Sequence, residues 1–149
     1  MTAPRVVYLL DTNVFREIQK GEAGHVNVRR WLAGVDDIDL RMSVMTIREV
    51  RRGIARLAKR KPTAAVEIER RFEELLAAYV GRVAEVDDEI AKEWGRLEGE
   101  RDKHRVDLAF VATARIRGLV LATRNVRDVR GRGVRVLDPF KRSPKVEMV

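Results

Sequence analysis

Four acidic residues occupy positions where a parallel α/β fold would place a reactive site. Three open predicted helices and the fourth follows a predicted strand; they are Asp11, Glu49, Asp107 and Asp128. Carboxylates gathered within a few ångströms repel one another, and they do not all stay ionised unless a cation lies between them. Hard divalent ions such as Mg²⁺ or Mn²⁺ take oxygen ligands, activate bound water and stabilise displacement at a phosphate. The pattern therefore predicts a metal-dependent nuclease or phosphatase.

Each of these residues also has a purely structural interpretation. Asp11 is a good helix N-cap, and Thr46-x-x-Glu49 has the spacing of a capping box. Asp107 lies in a first helical turn, where the helix dipole favours negative charge. Asn125 is a common turn residue and Asp128 is compatible with a surface ion pair. Taken singly, the residues leave both interpretations open, and only their common placement favours a site.

The elements that must position these side chains alternate between strand and helix. Apolar runs predict strands over 5–10, 39–44, 82–86, 119–122 and 134–137. Helical spacing covers 14–20, 26–32, 46–59, 63–79, 87–103 and 106–117. We predict a single α/β domain over 1–149, with a mainly parallel sheet of about five strands flanked by helices and a short polar tail from about residue 139. Ligands in such folds bind at the carboxyl ends of the strands.

The composition narrows the chemistry further. The chain carries 31 Lys and Arg against 23 Asp and Glu, a net charge of +8, which favours a polyanionic partner. Segments 41–71 and 101–135 each hold ten basic residues against three acidic ones, whereas 72–100 holds three against nine. The absence of cysteine excludes thiolate metal sites and disulfides, and two histidines exclude a histidine-rich cage. Because the early run Val6–Leu10 is too short for a signal peptide or a membrane span, we expect a cytoplasmic protein without membrane contact.

Three stretches in this order resemble the PIN-domain nucleases. They are LLDTNVF, SVMTIREVRRGI, and DLAFVATARIRGLVLATRN followed by VRDV. The resemblance extends from Arg5 to Phe140 and is strongest to VapC toxins of toxin–antitoxin systems, in the branch that includes the FitB-like proteins.

The resemblance carries over residue by residue. Asp11, Glu49 and Asp107 match the three family acids, which implies that they hold Mg²⁺ or Mn²⁺, and Asp128 matches an acid that commonly follows. The polar residues that match positions lining the family's site are Thr12, Asn13, Ser43, Thr46, Thr123 and Asn125. Asn125 stands where some members have a fourth acid, so fewer charges are left for a second metal ion and we expect one-metal occupancy. The segment 98–106 is shorter than in relatives, so we expect the substrate wall next to Asp107 to differ from theirs.

The implied function is a metal-dependent endoribonuclease toxin that cuts tRNA or another structured RNA with metal-activated water. The resemblance also implies a homodimer that a cognate VapB-like antitoxin silences, with operator DNA contacted only through the antitoxin. The alternative is a non-catalytic PIN module that binds RNA or an antitoxin, although the presence of all three acids argues against it. An aspartyl-phosphate phosphatase lacks the Asp-x-Asp it would need after the first strand.

Overall fold

The computed structural model describes residues 5–101 and 105–149. Six strands alternate with helices along this part of the chain. The strands are β1 (Tyr8–Leu10), β2 (Leu40–Ser43), β3 (Val83–Ala84), β4 (Val120–Ala122), β5 (Arg135–Leu137) and β6 (Glu147–Met148). The helices are α1 (Thr12–Gln19), α2 (Val26–Ala33), α3 (Val44–Ala58), α4 (Pro62–Ala77), α5 (Asp88–Glu100), α6 (Arg105–Arg117) and α7 (Val126–Val129). Two short 3₁₀ turns, Gly21–Ala23 and Asp37–Asp39, complete the order.

The strands form one sheet in the order β3-β2-β1-β4-β5-β6, in which every neighbouring pair is parallel except β5 and β6. Leu10, the last residue of β1, is level with Met42 on β2 and Ala122 on β4. The next residue on each strand is polar: Asp11, Ser43 and Thr123. The predicted α/β fold with a mainly parallel sheet is therefore confirmed, and the central strand delivers Asp11 to the carboxyl edge.

Helices cover both faces of the sheet, because the central strands β1 and β4 are apolar on both sides. Leu9 points into a core shared with α5 and α6, whereas Leu10 points into a second core shared with α1 to α4. Parallel strands buried on both faces read as continuous apolar runs rather than as alternating ones. This three-layer arrangement brings helix starts from both faces to one edge.

The middle of helix α6 is enclosed, since seven consecutive residues from Leu108 to Ala114 are buried. The small side chains of Ala109, Ala112 and Ala114 allow the close packing that the sequence predicted. Thr113 satisfies its buried hydroxyl by donating to the carbonyl of Ala109 at 2.8 Å. The first turn of α6, which carries Asp107, is fixed against the sheet as a result.

The C-terminal third adds two elements to those that the sequence predicted. The sheet has six strands rather than about five, because the polar tail contributes β6, and Val149 exchanges two backbone hydrogen bonds with Val134. The segment after Thr123 also contains the short helix α7, which is too brief for a periodic signal. Among the described residues, no helix is long and apolar enough to cross a membrane.

A buried arginine joins this C-terminal region to the end of α5. The Arg132 guanidinium donates to the carbonyls of Leu97 at 2.9 Å and Arg101 at 3.2 Å, and its side chain is only 2% exposed. These carbonyls belong to the end of α5, where helices leave acceptors without intrahelical donors. Arg132 therefore caps α5 from outside the helix, a role that nothing in the local sequence predicts.

We expect Arg132→Ala to lower the free energy of unfolding by about 2 kcal/mol, because the charged donors are lost and a void remains. Urea denaturation followed by circular dichroism measures the change. The exposed neighbour Arg130 is the matched control, and Arg130→Ala should stay within about 0.5 kcal/mol of wild type. Equal stability of all three proteins would contradict the capping role.

Candidate active site

The Asp11 carboxylate lies at the carboxyl end of the central strand and is 8% exposed. One oxygen accepts the backbone N–H of Thr12 at 2.7 Å, so Asp11 is the N-cap of α1. The other accepts the Thr123 hydroxyl at 2.6 Å and the Asn13 side-chain amide at 3.3 Å. The capping interpretation is thus correct, and the same carboxylate is still directed to the sheet edge where a site was predicted.

The pKa of Asp11 is raised from 3.8 to about 6, mainly by burial and to a lesser extent by the nearby negative charges of Asp107 and Glu49. The hydrogen bonds from Thr123 and Thr12 act in the opposite direction and lower the pKa. The structure therefore places three of the predicted acids within electrostatic reach of one another. They come from β1, α3 and α6, elements that lie far apart in the sequence.

Glu49 is held in place by α3, but not by the capping box that its spacing suggested. Helix α3 begins at Val44, two residues earlier than expected, with Ser43 as its N-cap accepting the N–H of Met45 at 3.0 Å. Thr46 is fully buried inside the first turn, and its hydroxyl pairs with that of Thr12 at 2.9 Å. This hydroxyl pair joins α1 to α3, so the elements that carry Asp11 and Glu49 are fixed to one another.

Asp107 is half-buried in the first turn of α6. The start of this helix is held by the indole N–H of Trp94, which donates to the carbonyl of Arg105 at 2.8 Å. The shortened segment before Asp107 includes residues 102–104, which lie outside the described residues.

The remaining predicted residues follow β4. Thr123 is buried, and its hydroxyl accepts the N–H of Asn125 at 3.0 Å while donating to Asp11. Asn125 itself is exposed at the start of α7, and Asp128 lies half-buried on that helix, with its N–H donating to the carbonyl of Asn125. Asn13 bridges the two regions, since its side-chain oxygen accepts the N–H of Arg124 at 3.3 Å. Any role of Asp128 in an ion's surroundings stays a prediction.

The donor set is suited to a hard divalent ion, because the acids that influence one another offer only carboxylate oxygens. Within 5–101 and 105–149, however, no three acidic, histidine or cysteine side chains are close enough together to hold a metal ion. The acids face one another without forming a coordination sphere. Holding an ion would therefore require their side chains to close in.

Glu49 and Asp107 line a cleft of about 520 Å³ whose walls are strongly basic. The arginines that line it are Arg16, Arg48, Arg52 and Arg56. All four are exposed, and within the described part of the chain none of them forms an ion pair. By contrast, Arg51 on the opposite side of α3 pairs with Glu69 of α4. The sequence had suggested a basic face on α3, but Arg16 was missed, although it lies four residues after Thr12 and hence on the same face of α1.

A parallel α/β fold with acids at the carboxyl edge and an arginine-lined cleft defines a protein that acts on, or binds, a polyanion. The chain belongs to the PIN domain family, whose model matches residues 8–130. This match covers β1 through α7 and includes every predicted site residue.

Two curated relatives are similar over nearly their whole length. The chain is 28% identical over 137 residues to Toxin FitB of Neisseria gonorrhoeae, covering 89% of this chain and 97% of that protein. It is 27% identical over 139 residues to VapC ribonuclease Y4jK of Sinorhizobium fredii, with the same two coverages.

Solved structures show the same similarity. FitAcB from Neisseria gonorrhoeae superposes with a TM-score of 0.76 at 27% identity, covering 90% of this chain and 99% of that one. A toxin–antitoxin complex from Klebsiella pneumoniae gives a TM-score of 0.67 at 25% identity, covering 90% and 98%.

The raised pKa of Asp11 makes a prediction about stability. Since the folded-state pKa is about 6 and the unfolded value about 3.8, the folded protein loses stability as the pH rises through this window. The loss amounts to at most about 3 kcal/mol above pH 6. We expect Asp11→Asn, which keeps the cap, to be more stable than wild type at neutral pH in chelator, with the gain disappearing below about pH 4.

Thermal unfolding from pH 4 to pH 8 measures this difference. Asp128→Asn serves as the control for removing one acidic charge near the same edge from a side chain that is only half-buried. If the Asp11→Asn protein is less stable than wild type at pH 7.5, the ionised Asp11 carboxylate stabilises the folded protein, which contradicts the prediction.

Proposed function

We propose that this PIN-domain protein is a metal-dependent endoribonuclease and the toxin of a toxin–antitoxin pair. The observation that carries the proposal is the buried Asp11 carboxylate beside an arginine-lined cleft, a carboxylate whose pKa is raised by burial and by the negative charges of Asp107 and Glu49. A buried carboxylate with other carboxylates nearby is an environment in which a divalent cation binds favourably. The similarity to a protein named as a VapC ribonuclease supports RNA as the substrate.

The Mg²⁺ or Mn²⁺ ion would be held by Asp11, Glu49 and Asp107. Asn125 and Asp128 would complete the surroundings of the ion, and Asp128 would act through a water molecule. When bound, the ion supplies a water of lowered pKa and stabilises the charge that develops at the phosphate. Thr123 and Thr12 keep the Asp11 carboxylate oriented through their hydrogen bonds. The Thr12–Thr46 pair maintains the separation of α1 and α3, and with it the spacing between Asp11 and Glu49.

The arginines of the cleft explain how an acidic site attracts a polyanion. Arg48, Arg52 and Arg56 recur every four residues along α3, and Arg16 faces them from α1. Because none of them is neutralised within the described part of the chain, their charge is available to phosphates. RNA laid along this wall would pass beside Glu49 and Asp107.

The antitoxin partner is proposed from the relatives. One relative is named as a toxin, and a similar solved structure is a toxin–antitoxin complex. We propose that this chain forms a homodimer and assembles with a VapB-like antitoxin, through which alone it reaches operator DNA. Co-expression with the product of the neighbouring reading frame, followed by co-purification, tests this assignment.

Purified protein is expected to cut RNA in Mg²⁺ or Mn²⁺ and to lose that activity in chelator. Asp11→Asn should reduce cleavage by at least about 100-fold while keeping the circular-dichroism spectrum, because a metal-holding carboxylate is replaced by a neutral amide. Gel analysis of cellular RNA, including tRNA, measures the cleavage. Activity that survives both treatments would contradict the metal mechanism, whereas binding without cleavage of any cellular RNA would favour the binding module.

The arginine wall predicts the salt dependence of RNA binding. In the Asp11→Asn background, Arg48→Ala and Arg52→Ala should each weaken binding and reduce the slope of log Kd against log salt by about 1. Arg51→Ala is the matched control from the same helix, because Arg51 is already paired with Glu69. Fluorescence anisotropy over a salt series measures the slopes. Equal slopes for all three variants and the parent would show that the wall does not contact phosphates.

A further inference from the structure

An arginine stacked on an aromatic ring lies beside the acidic site and has no part in the proposed hydrolysis. Arg124 directly follows Thr123, whose hydroxyl donates to Asp11, and its own N–H donates to Asn13. Asn13 in turn donates to Asp11. The backbone of Arg124 is thus two hydrogen bonds away from the Asp11 carboxylate.

The ring under this arginine is held firmly by its surroundings. Phe140 follows β5 in a turn in which Asp138 accepts the N–H of Phe140 at 2.9 Å. The carbonyl of Phe140 accepts the side-chain amide of Asn27 at 2.7 Å. The His25 ring packs against Phe140 with 5.1 Å between centroids at an angle of 62°. Hydrogen bonds and packing from α2 therefore position Phe140 at the same edge as Thr123.

The guanidinium carbon of Arg124 lies 4.7 Å from the centroid of the Phe140 ring, over its face. Arg124 is exposed, and within the described residues it forms no ion pair, unlike Arg117 or Arg96. The guanidinium therefore lies over the aromatic ring in a residue that remains exposed to solvent. Arginine planes and aromatic faces are the surfaces on which unpaired nucleobases stack.

We propose that Arg124, backed by Phe140, is a stacking platform for a base of the bound RNA next to the phosphate at Asp11. This proposal rests on the proposed ribonuclease function. It adds which residues bind the base of the nucleotide beside that phosphate. A phosphate would be held equally well by any cation at this position. A base needs the flat, weakly hydrated guanidinium, which lysine lacks.

The test asks whether RNA binding depends on the charge of residue 124 or on its planar shape. All variants are made in the Asp11→Asn background, so that RNA is bound and not cut. A labelled mixed-sequence single-stranded RNA of about twelve nucleotides is one probe, since single-strand sites span about 4 to 16 nucleotides. Otherwise identical RNAs carry an abasic nucleotide at each position in turn. Arg124→Lys keeps the charge and loses the stacking plane, and Phe140→Leu keeps an apolar contact and loses the aromatic support. Arg127→Lys, exposed on α7, is the matched control.

We expect Arg124→Lys to weaken binding about tenfold and Phe140→Leu several-fold, with Arg127→Lys unchanged. One abasic position should weaken binding to the parent and erase the difference between the parent and Arg124→Lys. Thermal unfolding of each variant separates these effects from loss of the fold.

Three results would overturn the platform. RNA binding by Arg124→Lys equal to that of its parent would show that only charge matters there. Unchanged RNA binding together with weaker binding of the co-expressed antitoxin would assign the stack to a protein partner. If the Asp11→Asn protein binds neither the oligonucleotide nor bulk tRNA, the proposed function and the platform are both wrong. The first two results leave the ribonuclease proposal intact.

Discussion

The buried carboxylate of Asp11 is the constraint on which the rest of the structure depends. A charge at the end of the central strand is costly, and three donors, the Thr12 N–H, the Thr123 hydroxyl and the Asn13 amide, offset only part of that cost. Each donor comes from a segment that must be placed accurately, either at the start of α1 or just after β4. The register that levels Leu10 with Met42 and Ala122 is what makes this placement possible.

The distribution of ion pairs separates the outer surface from the cleft. On α4 and α5, arginines such as Arg70 and Arg96 pair with glutamates three or four residues away on the same helix. Such exposed pairs contribute little to stability, but they neutralise the surface locally. Within the described part of the chain, the arginines of α3 that line the cleft have no such partners, so their positive charge is available beside Glu49 and Asp107. Opposite charges are thus kept apart within one site instead of cancelling.

The sequence predicted the sheet and the acidic residues because both follow from short-range signals. Asp11 comes directly after a buried run, and α6 shows its burial in alanines and branched residues. Contacts between distant segments gave no such signal. The Arg132 cap of α5 depends on a turn 31 to 35 residues away, and the Arg124–Phe140 stack joins two loops through the register of β4 and β5. The capping box at Glu49 failed for the same reason, since the contact with Thr12 uses Thr46 inside the helix and leaves Ser43 as the cap.

Burial of Asp11 also links stability to function in a definite direction. The elevated pKa means that the folded protein tolerates the ionised carboxylate at a cost, which a bound cation would relieve. Under the proposed function, binding of a divalent ion would be favoured by the same repulsion that destabilises the ionised acids. The hydroxyl pair between α1 and α3 holds the two helices together against this repulsion. The energetic cost therefore stays with the ionised Asp11 carboxylate, and the apolar cores on both faces of the sheet supply the stability that offsets it.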